Sequence, residues 1–309
     1  MANILLRSPY YIYETEATAL SAKLELSVGG VLRYTIVKDT DSSNGVLFEI
    51  SELARDFIDI EYTGTYSSQV ATITGSITFY DAINAGGNVV GTPTPIPISH
   101  TGFDGYGDFE QGASPTITSN TLLQSNTIIY ALEGEAGVIP EESSGAIVYS
   151  AYNTTATSDN VGGQNIIIKR ICEPKFEPIK VTFVNKFGAL QDIWFFKKSI
   201  ESLTVQKEKY KRSIITSTGT YNTSKHSSTI LNAKGSEKIT MNTGYMDEGM
   251  NEPIKQMLLS EQVWATIGAN VLPVNLDTES LTYKTSVNDR LVDYTIDFSY
   301  AYDTINNIR

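Results

Sequence analysis

The stretch from Ala17 to Ile36 alternates apolar and polar residues with a period of two on either side of a Gly-Gly pair. This period places the apolar side chains on one face of a β-strand. Gly29-Gly30 supplies the positive φ angles that a tight turn requires. The sequence therefore predicts an antiparallel hairpin. Its apolar positions are Leu20, Ala22, Leu24, Leu26, Val28 and, on the return strand, Leu32, Tyr34 and Ile36.

Similar patterns predict further strands along most of the chain, whereas helical spacing is rare. A short helix is expected over residues 51–58 and a longer one near 251–260, where Pro253 suits a first turn. The fold class is therefore mainly β. The predicted strands cover residues 46–50, 71–79, 127–132, 146–151, 164–171, 181–183, 194–196, 263–267, 271–276, 280–285 and 292–300.

Length and charge favour two domains. A chain of 309 residues is long enough to form two domains of ordinary size. Its net charge of −12 is unevenly distributed, with −14 in residues 1–160 and +2 in the remainder. We predict an acidic β-sandwich-like domain over 1–163 and an antiparallel β-sheet module with one flanking helix over 164–309. The acidic half is a poor candidate for binding DNA phosphates. No apolar run suits a signal peptide or a membrane span, and a lone Cys172 cannot form an internal disulfide.

The segment 85–120 holds seven glycines and four prolines, a composition that disfavours both a helix and a central strand. We expect a long loop that becomes ordered only against another subunit. Phe103, Tyr106 and Phe109 in this loop are candidate interface residues. A loop that packs its own aromatic residues, or one that binds a sugar or a cation, is the alternative.

Residues 192–212 combine aromatic and basic side chains. Trp194 and Phe196 share one parity and are expected to be buried, while Phe195 points to the opposite face, towards either a helix or an adjacent subunit. Lys197 to Arg212 carry six basic and two acidic residues, which predicts a lysine-protected edge strand or a contact with an acidic neighbour. Candidate interface residues here are Trp194, Phe195, Phe196, Lys197 and Lys198.

Catalytic motifs are absent from the sequence. His100 and His226 lie far apart, Cys172 has no neighbouring base and is expected to be a small buried residue, and no metal or phosphate-binding motif occurs. We therefore predict no catalytic, cofactor-binding or metal-binding residues and no enzymatic activity. A carboxylate pair that cleaves glycans stays open, because residues 133–142 and 104–110 are rich in Glu and Asp. A stripe of Tyr10, Tyr11 and Tyr13 could stack sugars.

Two sets of segments carry a resemblance to a known group. RSPYYIY (7–13) and FEISELARDFI (48–58) resemble the opening of virion structural proteins from tailed phages of Bacteroidetes-type and marine bacteria. FVNKFGALQDIWFFKKSIESLTVQKEKYK (183–211), LLSEQVWA (258–265) and LVDYTIDFSYAYD (291–303) look like the module shared by tail tube, distal tail and baseplate hub proteins.

The resemblance implies a structural component of the virion, assembled in the bacterial host cytoplasm. It implies partners that are copies of the same chain in a ring, hexameric or a multiple of it, together with other virion proteins. Neither sequence-specific nucleic acid binding nor membrane binding is expected. The alternatives are a receptor- or carbohydrate-binding virion protein and, more weakly, a glycan-cleaving enzyme.

Overall fold

A computed structural model describes residues 2–123, 128–173, 175–280, 282 and 291–305. Within these residues the fold is mainly β, as predicted, with two short α-helices, α1 (Ser51–Arg55) and α2 (Asn251–Leu258), and three 3₁₀ turns. The strands of the first half are β1 Ala2–Leu5, β2 Tyr11–Thr15, β3 Ser21–Val28, β4 Val31–Asp39, β5 Gly45–Glu49, β6 Val70–Tyr80, β7 Val89–Val90, β8 Ile96–Phe103, β9 Ile128–Leu132, β10 Gly137–Ser143, β11 Ala146–Tyr152 and β12 Ser158–Val161. Those of the second half are β13 Gln164–Ile171, β14 Ile179–Val184, β15 Leu190–Phe195, β16 Ile200–Lys211, β17 Ser228–Asn242, β18 Met246–Asp247, β19 Val263–Ile267, β20 Asn270–Leu276, β21 Leu291–Val292 and β22 Thr295–Tyr300.

The first sheet has the order β1-β8-β6-β3-β4, with β7 beside β6. The predicted hairpin forms β3 and β4, and the side chains of Ala22, Leu24, Leu26 and Val28 are buried. Leu20 precedes β3 and is half exposed. Gly75 on β6 lies so close to β3 that a Cβ there would come within 2.3 Å of the Glu25 carbonyl oxygen. A glycine is therefore required at this position by strand packing.

A second layer covers this sheet. The antiparallel pair β2–β5 and helix α1 bury Val46, Phe48, Ile50 and Ala54 against the apolar face of β3 and β6. Glu49 accepts hydrogen bonds from the Ser51 backbone amide (2.8 Å) and hydroxyl, which fixes the entry into α1. The result is a two-layer core in the N-terminal part of the chain.

The expectation of a loop throughout 85–120 is wrong, because Ile96–Phe103 forms strand β8 between β1 and β6. Pro97 is tolerated since β1 pairs only with His100–Phe103, so that Pro97 has a strand neighbour on one side alone. The two-residue strand β7 and irregular backbone precede β8, and irregular backbone with a 3₁₀ turn follows it.

Two small sheets connect the halves. The hairpin β10–β11 packs with the sheet β12-β13-β9, in which β9 and β13 run parallel, around Ile139, Ile166 and Ile168. The predicted boundary between residues 163 and 164 falls in the Gly162-Gly163 turn of the β12–β13 hairpin, so this sheet continues across it.

The largest sheet contains seven antiparallel strands in the order β15-β14-β19-β20-β22-β17-β16. Helix α2 lies within the predicted 251–260 segment and packs Ile254 and Met257 into the core on one face. Residues 58–66 contribute Ile60 and Tyr62 to a cluster on Trp264. The predicted strand 280–285 lies mostly outside the described residues.

The end of β8 and the residues that follow it join the two halves. Phe103 is buried with Leu5 and Ala189, Tyr106 N donates to the Lys186 carbonyl (2.8 Å), and a Cβ at Gly105 would come within 2.4 Å of the same oxygen. These contacts order residues 102–106 within a single chain, which contradicts the expectation that the segment orders only against another subunit.

Candidate assembly surface

The clearest unpartnered feature is a β-ribbon that extends from one end of the seven-stranded sheet. β16 pairs with β17 along its whole length, whereas β22 reaches β17 only at Lys238–Asn242 and Thr304 reaches it at Gly235. Residues 205–234, called the arm from here on, therefore form two strands and a connecting tip. At about 3.4 Å per residue, Val205 to Lys211 extend roughly 20 Å. No residue of the arm is buried.

The sequence explains why the arm forms. Residues that favour extended backbone occur on both strands, with Val205 and Tyr210 on β16 and Thr229 and Ile230 on β17. At the tip, the Thr216 carbonyl accepts a hydrogen bond from Gly219 N (3.0 Å). The register shifts between Glu208 and Lys209, a bulge that increases local twist. A two-stranded ribbon alone is marginally stable in water. The arm thus gains little from its own contacts.

The arm is basic on an otherwise acidic molecule. It contains six Lys or Arg residues and a single acidic residue, Glu208, so its net charge is +5. Because the whole chain carries −12, the remainder carries −17. The charge pattern favours attraction between the arm of one molecule and the body of another.

Apolar side chains are exposed along the arm and at its base. Single exposed apolar side chains are normal on a protein surface, but a series of them marks a contact surface. The exposed residues are Ile200, Leu203, Val205, Tyr210, Ile215, Tyr221, Ile230 and Leu231.

The edge-strand prediction for 197–212 is confirmed, but sequence reasoning missed the return strand and the tip. The alternation that resumes after the Ser/Thr-rich stretch was the available signal.

Three predicted interface residues lie in the core, and this corrects their assignment. Phe195 is 1% exposed and its ring lies 5.7 Å from that of Phe298, while Phe196 and Phe103 are also buried. None of the three can contact another subunit without unfolding. Of the two predicted covers for Phe195, a helix or an adjacent subunit, the structure shows cover from within the chain, since Phe195 belongs to the core cluster that contains residues of α2 and β22.

The other candidates are partly or fully accessible. Trp194 is half-buried and lies over Phe196, with 6.4 Å between ring centroids. Lys197 Nζ lies 2.7 Å from Glu173, and this hydrogen bond lowers the pKa of Glu173. Lys198 is exposed, and Tyr106 is half-buried beneath the guanidinium of Arg7.

Phe109 is fully exposed on a 3₁₀ turn. The Asp108–Gln111 capping box and the Lys186–Asp108 ion pair hold this turn, and Tyr11 N donates to Ser114 Oγ (2.9 Å) beside it. Tyr11 and Phe109 line one depression of about 390 Å³. Tyr11 and Tyr13 line a neighbouring depression of about 460 Å³. The structure thus brings the Tyr stripe and the residues after β8 together.

The acidic clusters have structural partners. Glu141 accepts from Ser150 Oγ (2.6 Å) and Gly162 N (3.1 Å), and Glu142 accepts from Gly145 N (2.7 Å). Asp104 pairs with Arg55 at 2.9 Å. Glu141 and Glu142 thus stabilise turns by hydrogen bonds, and Asp104 stabilises the fold by an ion pair.

Cys172 is exposed, which corrects the expectation that it is buried. A hydrogen bond with Glu133 raises the pKa of its thiol, so the reactive thiolate is disfavoured. Across the described ranges, no cluster of three or more His, Cys, Asp or Glu side chains could hold a metal ion.

Comparison with known proteins gives no relative. The chain matches no protein-family model, and neither a curated protein nor a solved structure is significantly similar to it. Within the described part of the chain, no helix is both long and apolar enough to cross a membrane.

Proposed function

We propose that this chain is a structural protein that assembles with copies of itself into a ring, as a tail or baseplate component of a tailed-phage virion. The observation that carries the proposal is the arm, which is basic, has exposed apolar residues and contains no buried residue. A protein that worked as a monomer would gain little from ordering 30 residues in this way.

The charge of the arm favours head-to-tail contacts over twofold ones. Two arms that met across a twofold axis would bring their lysines together, and like charges opposite each other on strands are destabilising. An arm that binds the −17 body of the next copy is attracted instead. Repeated head-to-tail contacts close into rings or continue as filaments.

The virion setting is supported by the segments that resemble phage tail and baseplate proteins, among them residues 183–211, which include the inner part of the arm. An acidic ring surface would let DNA pass without adhering to it. The proposed partners are copies of this chain and other virion proteins. No catalytic activity is part of the proposal.

The test compares the full chain with a variant in which residues 207–233 are replaced by Asn-Gly. Gln206 and Lys234 are register partners, so a two-residue turn can join them. Sedimentation and negative-stain electron microscopy should show rings for the full chain and monomers for the variant. The melting temperature should change little, because no buried side chain is removed. Assembly should weaken with added salt.

Two results would contradict the proposal. One is a full chain that sediments as a monomer at low salt and at every protein concentration tested. The other is a variant without the arm that assembles as the full chain does.

A second candidate function rests on the aromatic depression beside Phe109. Exposed Tyr11, Tyr13 and Phe109 around these depressions suit a receptor- or carbohydrate-binding surface. Binding to a glycan array that is lost in Tyr11→Ala and Phe109→Ala would support it. Tyr245→Ala is the matched control, since Tyr245 is also exposed but follows β17 in the seven-stranded sheet. Equal binding by all three variants would argue against this candidate.

A further inference from the structure

The six-stranded sheet has one covered edge and one open edge. At the β1 edge, Ile4 bridges to Thr116 and Ile117 N donates to the Asn3 carbonyl (2.9 Å). At the opposite edge, β4 pairs with β3, and no other strand of the described chain pairs with it. Along the nine residues of β4, the backbone groups of alternate residues that do not bond to β3 therefore face this open edge.

Edge strands are usually protected by charged side chains or prolines, and β4 has little protection of this kind. It contains no proline, and both of its basic side chains turn back onto their own chain. The Arg33 guanidinium lies 4.3 Å from the centre of the Phe57 ring, and Lys38 Nζ donates to the Leu47 carbonyl (2.8 Å).

Apolar side chains on β4 are exposed to solvent. Val31, Leu32 and Val37 are 50%, 55% and 41% exposed. Asp39 ends the strand and Asp41 follows it, and both carboxylates accept backbone hydrogen bonds, from Asn84 N (3.0 Å) and Gly45 N (2.9 Å) respectively. An apolar, unprotected edge next to carboxylates suits an apolar strand that carries lysines.

β16 has these properties and is the open edge of the other large sheet. Leu203 and Val205 are exposed on it, and Lys207, Lys209 and Lys211 follow. Since β16 is twelve residues long, it can cover all nine residues of β4, about 30 Å of strand.

We infer that β4 of one copy receives β16 of the next copy as an added strand, which joins the six-stranded sheet of one subunit to the seven-stranded sheet of its neighbour. The inference rests on the proposed function and specifies the receiving surface. Main-chain hydrogen bonds supply affinity in such strand addition, and side chains supply specificity. Because β4 and β16 are different surfaces, the contact is head-to-tail and leaves one of each free for the next copy.

The first experiment blocks the receiving edge in the full chain. Val37→Lys adds a charged side chain to the exposed β4 edge, which should repel the lysines that β16 carries. Assembly measured by sedimentation should weaken at least tenfold. Val148→Lys is the matched control, since Val148 on β11 is likewise 41% exposed, and it should assemble like the parent. Melting temperatures of both variants show whether the fold is retained.

The second experiment is disulfide cross-linking in a Cys172→Ser background. Chains with Thr35→Cys on β4 are mixed with differently tagged chains carrying Ser202→Cys, Thr204→Cys or Gln206→Cys on β16, which samples several registers. A mixed disulfide in at least one register is expected. Disulfides between two Thr35→Cys chains alone would indicate a twofold β4 contact and overturn the inference.

The two proposals can fail separately. If the parent forms rings but Val37→Lys forms them equally well and no mixed disulfide appears, the β4 site is wrong and the proposed function stands. If the parent remains a monomer under all conditions, both are wrong.

Discussion

The hydroxyl of Tyr66 donates a 2.5 Å hydrogen bond to the carboxylate of Asp192, which lies 126 positions away in the chain. Thr182 Oγ1 donates to the other oxygen of the same carboxylate (2.7 Å), and Lys180 Nζ lies 3.7 Å from it. This contact fixes the segment that follows α1 on strands β14 and β15. The two halves of the chain are therefore held together by polar contacts as well as by the apolar cluster beside them.

Replacing Tyr66 by Phe should lower the free energy of unfolding by roughly 1–3 kcal/mol. The carboxylate of Asp192 loses a donor but keeps Thr182 and Lys180, so the loss should stay well below that of a buried unpaired charge. Urea unfolding gives the measurement. Tyr34→Phe is the control, because the Tyr34 hydroxyl lies 3.4 Å from an exposed Asp56 and should contribute little.

Stability should fall in alkaline solution through the buried tyrosines. Burial raises the pKa of Tyr152 from 10.0 to about 12. Between these values the unfolded chain loses the proton first and binds fewer protons than the native state, so stability decreases as pH rises. Tyr152→Phe keeps the ring over Arg170 and removes the titration. The urea midpoint of unfolding is measured below pH 10 and again between pH 10 and about 12 for both proteins. The decrease in midpoint between the two conditions should be smaller for the variant than for the parent. An equal pH dependence in both would show that Tyr152 does not contribute.

The sequence predicts local pairing well because alternation is a local property. The β3–β4 hairpin, the closing alternation through Ile296 and Phe298 and the helix at Asn251 are all present. It does not predict which distant strands become neighbours. The position of β8 between β1 and β6 and the contact of Tyr66 with Asp192 depend on the packing of the whole chain.

The side-chain directions at residues 194–196 also could be predicted only in part from the sequence. That Trp194 and Phe196 share one side follows from the period of two, and their rings do lie together. Phe195 and Phe196 are both buried in the main core cluster, whereas Trp194 is only partly buried against it. How fully each side chain is covered depends on the packing of the whole chain, and no pattern within residues 192–197 contains that information. The arm is a comparable case, since its two strands are separated by a Ser/Thr-rich tip that has no apolar pattern.

Phe195→Ala should therefore destabilise the protein more than Trp194→Ala. Truncating a fully buried Phe typically costs about 3–5 kcal/mol, and Phe195 also loses its edge-to-face contact with Phe298. Trp194 is half-buried, so less of its contact is lost. Thermal unfolding of both variants measures the difference. A larger decrease for Trp194→Ala would mean that the two faces of β15 are assigned the wrong way round.

Limited proteolysis of the monomer should cleave the tip of the arm before any other described segment. Residues 212–227 are exposed apart from half-buried Ile214, and few tertiary contacts hold them, so local opening costs little. The segment 102–106 should resist, because Phe103 is buried and its backbone is bonded to the turn at Lys186.

A protease of broad specificity is required, since residues 85–120 contain no Lys or Arg. Mass spectrometry of the first fragments locates the cut, and the variant in which Asn-Gly replaces residues 207–233 should remain intact for longer. A first cut within 102–106 would show that this segment opens more readily than its contacts indicate.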